Sequence, residues 1–586
     1  FGQETQEKMK IQNLIIKVGL QLGQEKTDQI CESQDDMIEH MPIVHDMTIP
    51  SNLKEAKKDR HWESWLAVIN RELNSFDEME VWTAVDRVPG MKVIKTHFVV
   101  DIKQKTSLDD ITYKARLVAR GFCQRYGIDC EHTYAPTASL SSLRLLFEIV
   151  TKFGWSISGF DISVAYLHSK LEEEIYVDAP DEFRPEWRGK AMKLNKAMYG
   201  LKQAGQCWWL HFKSIMNKLN FEAVELDQSL HKCTRDGVIL YVWMHVDDGV
   251  IFSNNTEAIL DLKENLITFL KVKWEDKITR IVGIDVVQMP KILKLSQSKF
   301  AGKIVEQFER KSNMTLLRTS TVLPESKLQT STNVPIEQKW YQSVIGLLNY
   351  LALGTRPNLS FAVGYLARYA GSPQEEHWGA LKHLLGYVKH TREQHLQYHS
   401  NSACETLDLW SDADWGGEFQ RSTLGFILRV FNCTIAWGLP RQKLVAGLTC
   451  AAELMAMGMA MDILIFMIQL VCACLKDIKI NVHCDNREAI LILEGSRTRI
   501  KSLERNFYII NDLIRKYDIT LKWTTTFSQL ADICTKRLGP TKHLQPLIKL
   551  MDDAEIEGEC RNSSRQSQPG KKNMEHSRKP QVGSCN

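Results

Sequence analysis

Several features that would take this chain out of the ordinary globular class are missing. Its 14 cysteines are thinly spread over 586 residues and none form a C-x-x-C pair. Cys472 and Cys474 stand one residue apart in an apolar stretch, which does not fit a zinc site, so reduced thiols in an intracellular protein are expected. Charge of one sign is not in excess: 74 Lys and Arg against 71 Asp and Glu leave a net +3. Any nucleic-acid contact must then rest on local patches, not on bulk charge. Long apolar runs are absent too. The most apolar window, 463–475, is shorter than the roughly 20 residues a bilayer requires, and it reads as a buried helix with no membrane partner. The chain opens on Phe1 and a polar segment, so no signal peptide is expected and a piece of a longer product is. What is present, 44% hydrophobic and 25% charged residues, suits several buried cores and about three or four domains.

Residues 1–48 are polar and weakly patterned and read as a linker or upstream remnant. Beyond Leu53, Trp62, Trp65, Ile69 and Leu73 recur at helical spacing. Strand-like runs at 92–102 and 111–119 enclose a basic region, where residues 92–125 hold eight Lys and Arg against three Asp. A helical pattern over 139–153 leads to two apolar strands flanking 157–177. The loop YGLKQAGQ then precedes a Trp-rich helix at 207–220. Apolar runs at 238–244 and 250–252, with His-Val-Asp-Asp-Gly between them, predict a hairpin with carboxylates at its turn. Helices follow at 256–271 and within 340–390. A new α/β unit starts near 405, with strands at 406–410, 425–430, 434–437, 442–446 and 478–484 around a long helix at 450–475. The last 26 residues hold six Lys and Arg against one Glu and are expected to be disordered.

Four Asp-Asp pairs occur, at 35/36, 109/110, 247/248 and 552/553. Only Asp247-Asp248 lies between two apolar strand-like runs, where a turn would carry both carboxylates to one sheet edge. Burying two like charges there is costly unless cations neutralise them. Asp161 ends the run WSISGFD and would add a third carboxylate from a neighbouring strand. An oxygen-only set of this kind suits Mg²⁺, with Mn²⁺ as the alternative. Two such ions about 4 Å apart can activate a hydroxyl and stabilise a departing phosphate. Downstream, Asp412 is expected just after a strand, Glu453 near the start of the long helix, Asp485 at a strand's end and Asp532 in a late helix. Singly each reads as a turn or cap residue. Together, four acids at element ends suggest a second phosphodiester site.

The segments KARLVARGFCQRYGID, FDISVAYLHSKLEEEIYV, LNKAMYGLKQAGQCWW and HVDDGVIF, in that order, resemble the reverse transcriptase of copia-type LTR retrotransposon Pol polyproteins. The resemblance implies a right-hand polymerase of fingers, palm and thumb, with Asp161, Asp247 and Asp248 as the metal-binding triad. It further implies Tyr166 as the aromatic that bars a ribose 2′-OH and Gln203 beside the incoming nucleotide. Lys114 and Arg116 would meet its triphosphate. LWSDADWGG, AAELMAM, VHCDN and LADICTK resemble the RNase H domain of the same family and imply Asp412, Glu453, Asp485 and Asp532 as its metal ligands. The stretch from YQSVIGLLNY to PQEEHW resembles the region connecting the two.

The expected fold class is therefore α/β and α+β multidomain. Fingers and palm would occupy 49–270, thumb and connection 271–400, an RNase H-like α/β domain 401–545 and a polar tail 546–586. Expected partners are an RNA template, a DNA primer, the RNA–DNA hybrid, dNTPs and other domains of the polyprotein, in cytoplasmic particles, the nucleus or both. Departures from the family pattern are His245 for a Tyr, Ile281-Val282-Gly283 for a Phe-Leu-Gly turn, Asn358 for an Asp, Ala451 for a Glu and Ser502 for a His. His245, Ala451, Ser502 and two arginines missing from HLLGYVKHT at 383–391 favour one alternative, a decayed or domesticated copy that binds nucleic acid without catalysis, whereas the change at 281–283 keeps its apolar volume.

Overall fold

The computed structural model describes residues 50, 52–104, 111–324, 337–400, 405–415, 422–442, 446–472, 478–495 and 504–551. The expected remnant at 1–48, Ser502 and Asp552-Asp553 lie outside them. Trp65, Ile69, Leu73 and Phe76 fall on one stripe of helix α1 (Trp62–Glu78) and are fully buried, as the 3.6-residue period of a helix lying on a sheet requires. This helix packs on a two-stranded ribbon, β1 (Thr96–Gln104) and β2 (Ile111–Ala119). The run expected at 92–102 is split in two. Val93–Ile94 pairs instead into a separate four-stranded sheet with Tyr176–Asp178.

The central sheet has six strands: β3 (Ser156–Ile162), β4 (Glu222–Val224), β5 (Asp227–Arg235), β6 (Val238–His245), β7 (Asp248–Ser253) and β8 (Val272–Glu275), in the order β8-β3-β7-β6-β5-β4. Both faces are covered, which is why β6 reads as a continuous apolar run. Tyr241 and Trp243 face one core with helix α2 (Leu140–Phe153), whereas Leu240, Val242 and Met244 face another with helix α3 (Ala204–Lys218). Helix α2 starts where Ser139 accepts a hydrogen bond from the Ser142 amide and stops at Gly154, φ +68°. The sheet extends past the expected boundary at 270, because β8 pairs with the strand that carries Asp161.

His231 on β5 lies fully buried in the second of these cores, its ring 5.4 Å from Phe212 and neither nitrogen hydrogen-bonded. Burial pushes its pKa from 6.5 down to about 4. The unfolded chain takes up that proton first, so stability is unaffected above about pH 6.5 and is lost as pH falls towards 4. His231→Leu is expected to reduce the loss between pH 7 and pH 5 by about 2 kcal/mol. Urea midpoints measured at the two pH values check this.

A helical region follows, led by α4 (Gln338–Gly354). The last unit has a five-stranded sheet of β9 (Thr406–Asp414), β10 (Thr423–Val430), β11 (Cys433–Gly438), β12 (Lys479–Cys484) and β13 (Ile519–Trp523), in the order β11-β10-β9-β12-β13. The first three strands pair antiparallel and the other two join in parallel. Helix α5 (Thr449–Cys472) is 24 residues long and begins one residue before the helix expected at 450–475. Among the described residues it is the one helix long and apolar enough to cross a membrane. Here it packs on β9, β10 and helix Glu504–Lys516, with Leu454, Met457, Met461, Leu464 and Met467 buried. The strand expected at 442–446 lies mostly outside the described residues; just before it, Arg441 forms an isolated antiparallel bridge to Thr423. The closing helix Pro540–Met551 buries Leu547, Leu550 and Met551, so the unit runs past the expected end at 545.

One side chain touches all three regions. Arg144 on α2 is buried and donates to Ile435 O of β11 at 2.7 Å, and to Leu353 O and Gly354 O of α4 at 2.9 and 2.8 Å. Its guanidinium lies 4.0 Å from the centre of the Trp437 ring, and Trp437 Nε1 donates to Ala352 O at 3.0 Å. Burial lowers the Arg144 pKa to about 10, still leaving it charged at neutral pH.

Candidate active sites

In the central sheet, pairing alone sets two of the three carboxylates side by side: Asp248 on β7 is directly opposite Asp161 on β3. Asp247 sits in the β6–β7 turn, closed by the pair His245–Asp248. Val246 in that turn has φ +56°, an unfavourable conformation for a β-branched residue, so neighbours must hold it. They do: Trp208 Nε1 donates to Val246 O at 2.6 Å and the Ile162 amide to Asp247 O at 2.8 Å. Gly249 follows because a Cβ there would stand 2.2 Å from the Phe160 ring. All three carboxylates are half-buried at the sheet edge. Loss of water raises the Asp247 pKa, and repulsion from Asp161 adds to it, against the pull of Arg116 and His245. The expected hairpin with carboxylates at its turn is therefore present, and the replacement residue His245 stacks on Trp243 at 6.1 Å.

Arg116 reaches this edge through aromatic rings. Its guanidinium is 5.3 Å from the Tyr199 ring centre, and Tyr199 is 4.9 Å from Tyr166. Lys114 lies two residues back along β2, on the same side of the ribbon by the period of a strand. Sequence reasoning missed two members of this group. Tyr199, in YGLKQ, has its hydroxyl pKa raised by burial and by Asp247. Glu72 on α1 accepts from the Leu117 amide at 3.2 Å, and burial pushes it up to about 7 against Arg116 and Lys114.

Gln203 is placed differently from the expectation that it packs beside a nucleotide. It is buried, accepts from Gln124 Nε2 at 3.0 Å and donates to Asp129 O at 2.9 Å, so its amide holds the loop after β2. Gly121 and Gly200 let that loop close on YGLKQ, since a Cβ on Gly121 would meet Gly200 O at 2.0 Å. Arg356, within the connecting region, is also committed internally, to Asn358 Oδ1 at 3.1 Å and Thr391 O at 2.9 Å.

The second set converges from four elements. Asp412 lies inside β9 opposite Gly425, not after the strand as expected, because the ladder continues to Asp414. Glu453 is in the first turns of α5, Asp485 follows β12 and Asp532 opens the short helix Asp532–Thr535. Ligand oxygens of Asp412, Asp485 and Asp532 all lie within 4.8 Å of one another. So do ligand atoms of Glu453, Cys484 and Asp485. Among the described residues these are the two groups that tight, and the triad of the central sheet is not one of them.

Gly425 explains the approach of the short helix: a Cβ there would stand 2.4 Å from the Thr535 side chain. Thr535 Oγ1 donates to Asp412, and Lys536 Nζ bridges Asp412 Oδ1 at 3.0 Å and Asp532 Oδ1 at 2.7 Å. Burial, then repulsion by Asp412, raises the pKa values of Glu453, Asp485 and Asp532. Glu453 Oε2 has no hydrogen-bond partner. Lys536 and Cys484 were not singled out from the sequence, although each lies inside a motif that was, LADICTK and VHCDN.

Crowded carboxylates with raised pKa values call for positive charge, and a set of hard oxygen donors fits Mg²⁺ or Mn²⁺. Two such sets, one at the turn of the central sheet and one around β9 of the last unit, are the kind of arrangement that suits phosphoryl transfer. Residues 79–321 match the family described as reverse transcriptase (RNA-dependent DNA polymerase). Over 84% of its length the chain is 27% identical to a retrovirus-related Pol polyprotein from transposon RE2 of Arabidopsis thaliana, covering 34% of it. It is 28% identical, again over 84% of its length, to the polyprotein from transposon TNT 1-94 of Nicotiana tabacum, covering 38%. The chain thus spans about a third of the length of these curated relatives. A solved foamy viral protease-reverse transcriptase in complex with RNA/DNA hybrid is similar at TM-score 0.44 and 14% identity, over 81% of this chain and 54% of that one.

Proposed function

We propose that the chain is the polymerase and RNase H portion of a copia-type Pol polyprotein, copying element RNA into DNA with dNTPs and removing the copied RNA. The observation that carries this reading is the pairing of Asp161 with Asp248 beside the Asp247 turn. It puts three carboxylates at one edge, where a primer 3′-hydroxyl and a nucleoside triphosphate can reach them. Bound by these carboxylates, Mg²⁺ would supply charge neutralisation and activation of the attacking oxygen. Arg116 presents a guanidinium to the triphosphate, suited to forked phosphate contacts. Tyr166, braced by Tyr199, crowds the ribose 2′ position. In the second set, Asp412, Glu453, Asp485 and Asp532 would hold the metal that hydrolyses the RNA strand, and Lys536 orients two of them. Catalysis in both sets is mostly positioning and charge stabilisation. The work would be done inside cells, in cytoplasmic particles, the nucleus or both.

Primer extension on an RNA template with dNTPs and Mg²⁺ tests the reading, beside an Asp248→Asn control. Extension by the native chain and none by the control is the expected result. A folded chain that binds the hybrid and never extends it would instead be a decayed copy.

A further inference from the structure

We infer that Glu453, Cys484 and Asp485 form a binding site for a thiophilic divalent cation of the zinc and cadmium class, and that its occupation blocks RNA hydrolysis. The inference rests on reading this pocket as the hydrolytic site. Three observations carry it. First, the Cys484 sulfur and oxygens of Glu453 and Asp485 lie within 4.8 Å of one another, a mixed sulfur and oxygen set beside the oxygen-only set of Asp412, Asp485 and Asp532. Second, Glu453, a member of this mixed set, is 7% exposed and its Oε2 has no partner, so the set holds a buried acceptor that stands open. Third, the opposite side is already served by a cation, since Lys536 Nζ sits on both Asp412 and Asp532.

The thiol is built in. Cys484 is fully buried, free of any disulfide, and ends β12, which pairs in parallel with the strand carrying Asp412. Its own hydrogen bond is a long one, 3.9 Å to Asn486 O, so little is lost when the sulfur turns to a metal. Thiolate ligands select zinc-like ions over magnesium, which takes oxygen. On binding, a sulfur–metal bond replaces the S–H bond and the proton leaves to buffer. Asp485 belongs to both sets. A cation on the thiol side therefore takes Asp485 and Glu453 away from the hydrolytic set, and the two modes exclude each other.

Cadmium chloride titrated into the full chain in Mg²⁺ buffer provides the probe, read as ultraviolet thiolate-to-cadmium absorbance. Subtracting the Cys484→Ser signal removes the contribution of the other cysteines. The expected difference is one equivalent of cadmium, whose affinity falls at least about tenfold in Glu453→Gln. RNA removal by the native chain should stop at the cadmium concentration that saturates this difference, and Cys484→Ser should need at least about tenfold more. No difference between native and Cys484→Ser, or a difference indifferent to Glu453→Gln, overturns the site. If Cys484→Ser melts far below the native chain, Cys484→Ala supplies the same comparison. Hydrolysis with Mg²⁺ alone is measured in parallel. Its absence would sink the hydrolytic reading, and the absorbance would still decide whether the metal site exists.

Discussion

Asp247→Asn is expected to abolish primer extension and, in metal-free buffer, to stabilise the fold. Both effects have one cause. The backbone of the turn is held by Trp208 Nε1 on Val246 O and by the Ile162 amide on Asp247 O, while the Asp247 carboxylate loses water and is repelled by Asp161, more than Arg116 and His245 offset. Asparagine keeps the shape and removes the repelled charge, which should raise stability by about 1 kcal/mol. The same change deletes a metal ligand, which should lower extension by at least about a thousandfold. Mg²⁺ should raise the melting temperature of the native chain and leave that of the variant nearly unchanged, because a ligand stabilises only the state that binds it. Melting curves with and without Mg²⁺, beside extension rates, make the check. A variant that extends at even a tenth of the native rate would remove Asp247 from the chemistry.

Arg144→Ala should be the most destabilising single change, at about 3–5 kcal/mol. It strips hydrogen bonds from two buried carbonyls and one part-buried carbonyl, and the stack on Trp437, in one step. Lysine cannot substitute, since one ammonium lacks the planar fork that reaches Ile435 O and both ends of the α4 carbonyl pair. Loss of the side chain should also separate the unfolding of the β9–β13 unit from that of the central sheet. Urea unfolding of the variant is then expected to show two transitions where the native chain shows one. A variant within 1 kcal/mol of native, still unfolding in one step, would show that the joint does not depend on Arg144.

Much of the chemistry was legible because it sits where strands end. The alternation around Asp247-Asp248 predicted a hairpin, and its register delivers Asp161 without further assumption. Of the four later acids, Asp412, Asp485 and Asp532 come together in one tight group, and Glu453 meets Asp485 in another that also holds Cys484. What could not be read depends on contacts between distant segments. Lys536 looks like a surface lysine until the small Gly425 lets its helix close on β9. Gln203 looks available for a ligand until Gln124 and Asp129 claim both ends of its amide. Strand β8 alternates apolar and polar residues over only four positions, too short a run to be read apart from the preceding helix, and it pairs along the edge that β3 offers.

The order in which the α5 surroundings are made has a consequence during synthesis. When residues 449–472 leave the ribosome, β9 and β10 already exist, while β12 and helix Glu504–Lys516 do not. The nascent chain then carries a 24-residue greasy rod with one flank bare, the kind of surface that chaperones and membrane-targeting factors survey. At about 5–20 residues per second, that interval lasts several seconds. Slow codons between 472 and 504 would lengthen it, so the yield of soluble protein should respond to translation speed in that stretch more than elsewhere in the gene.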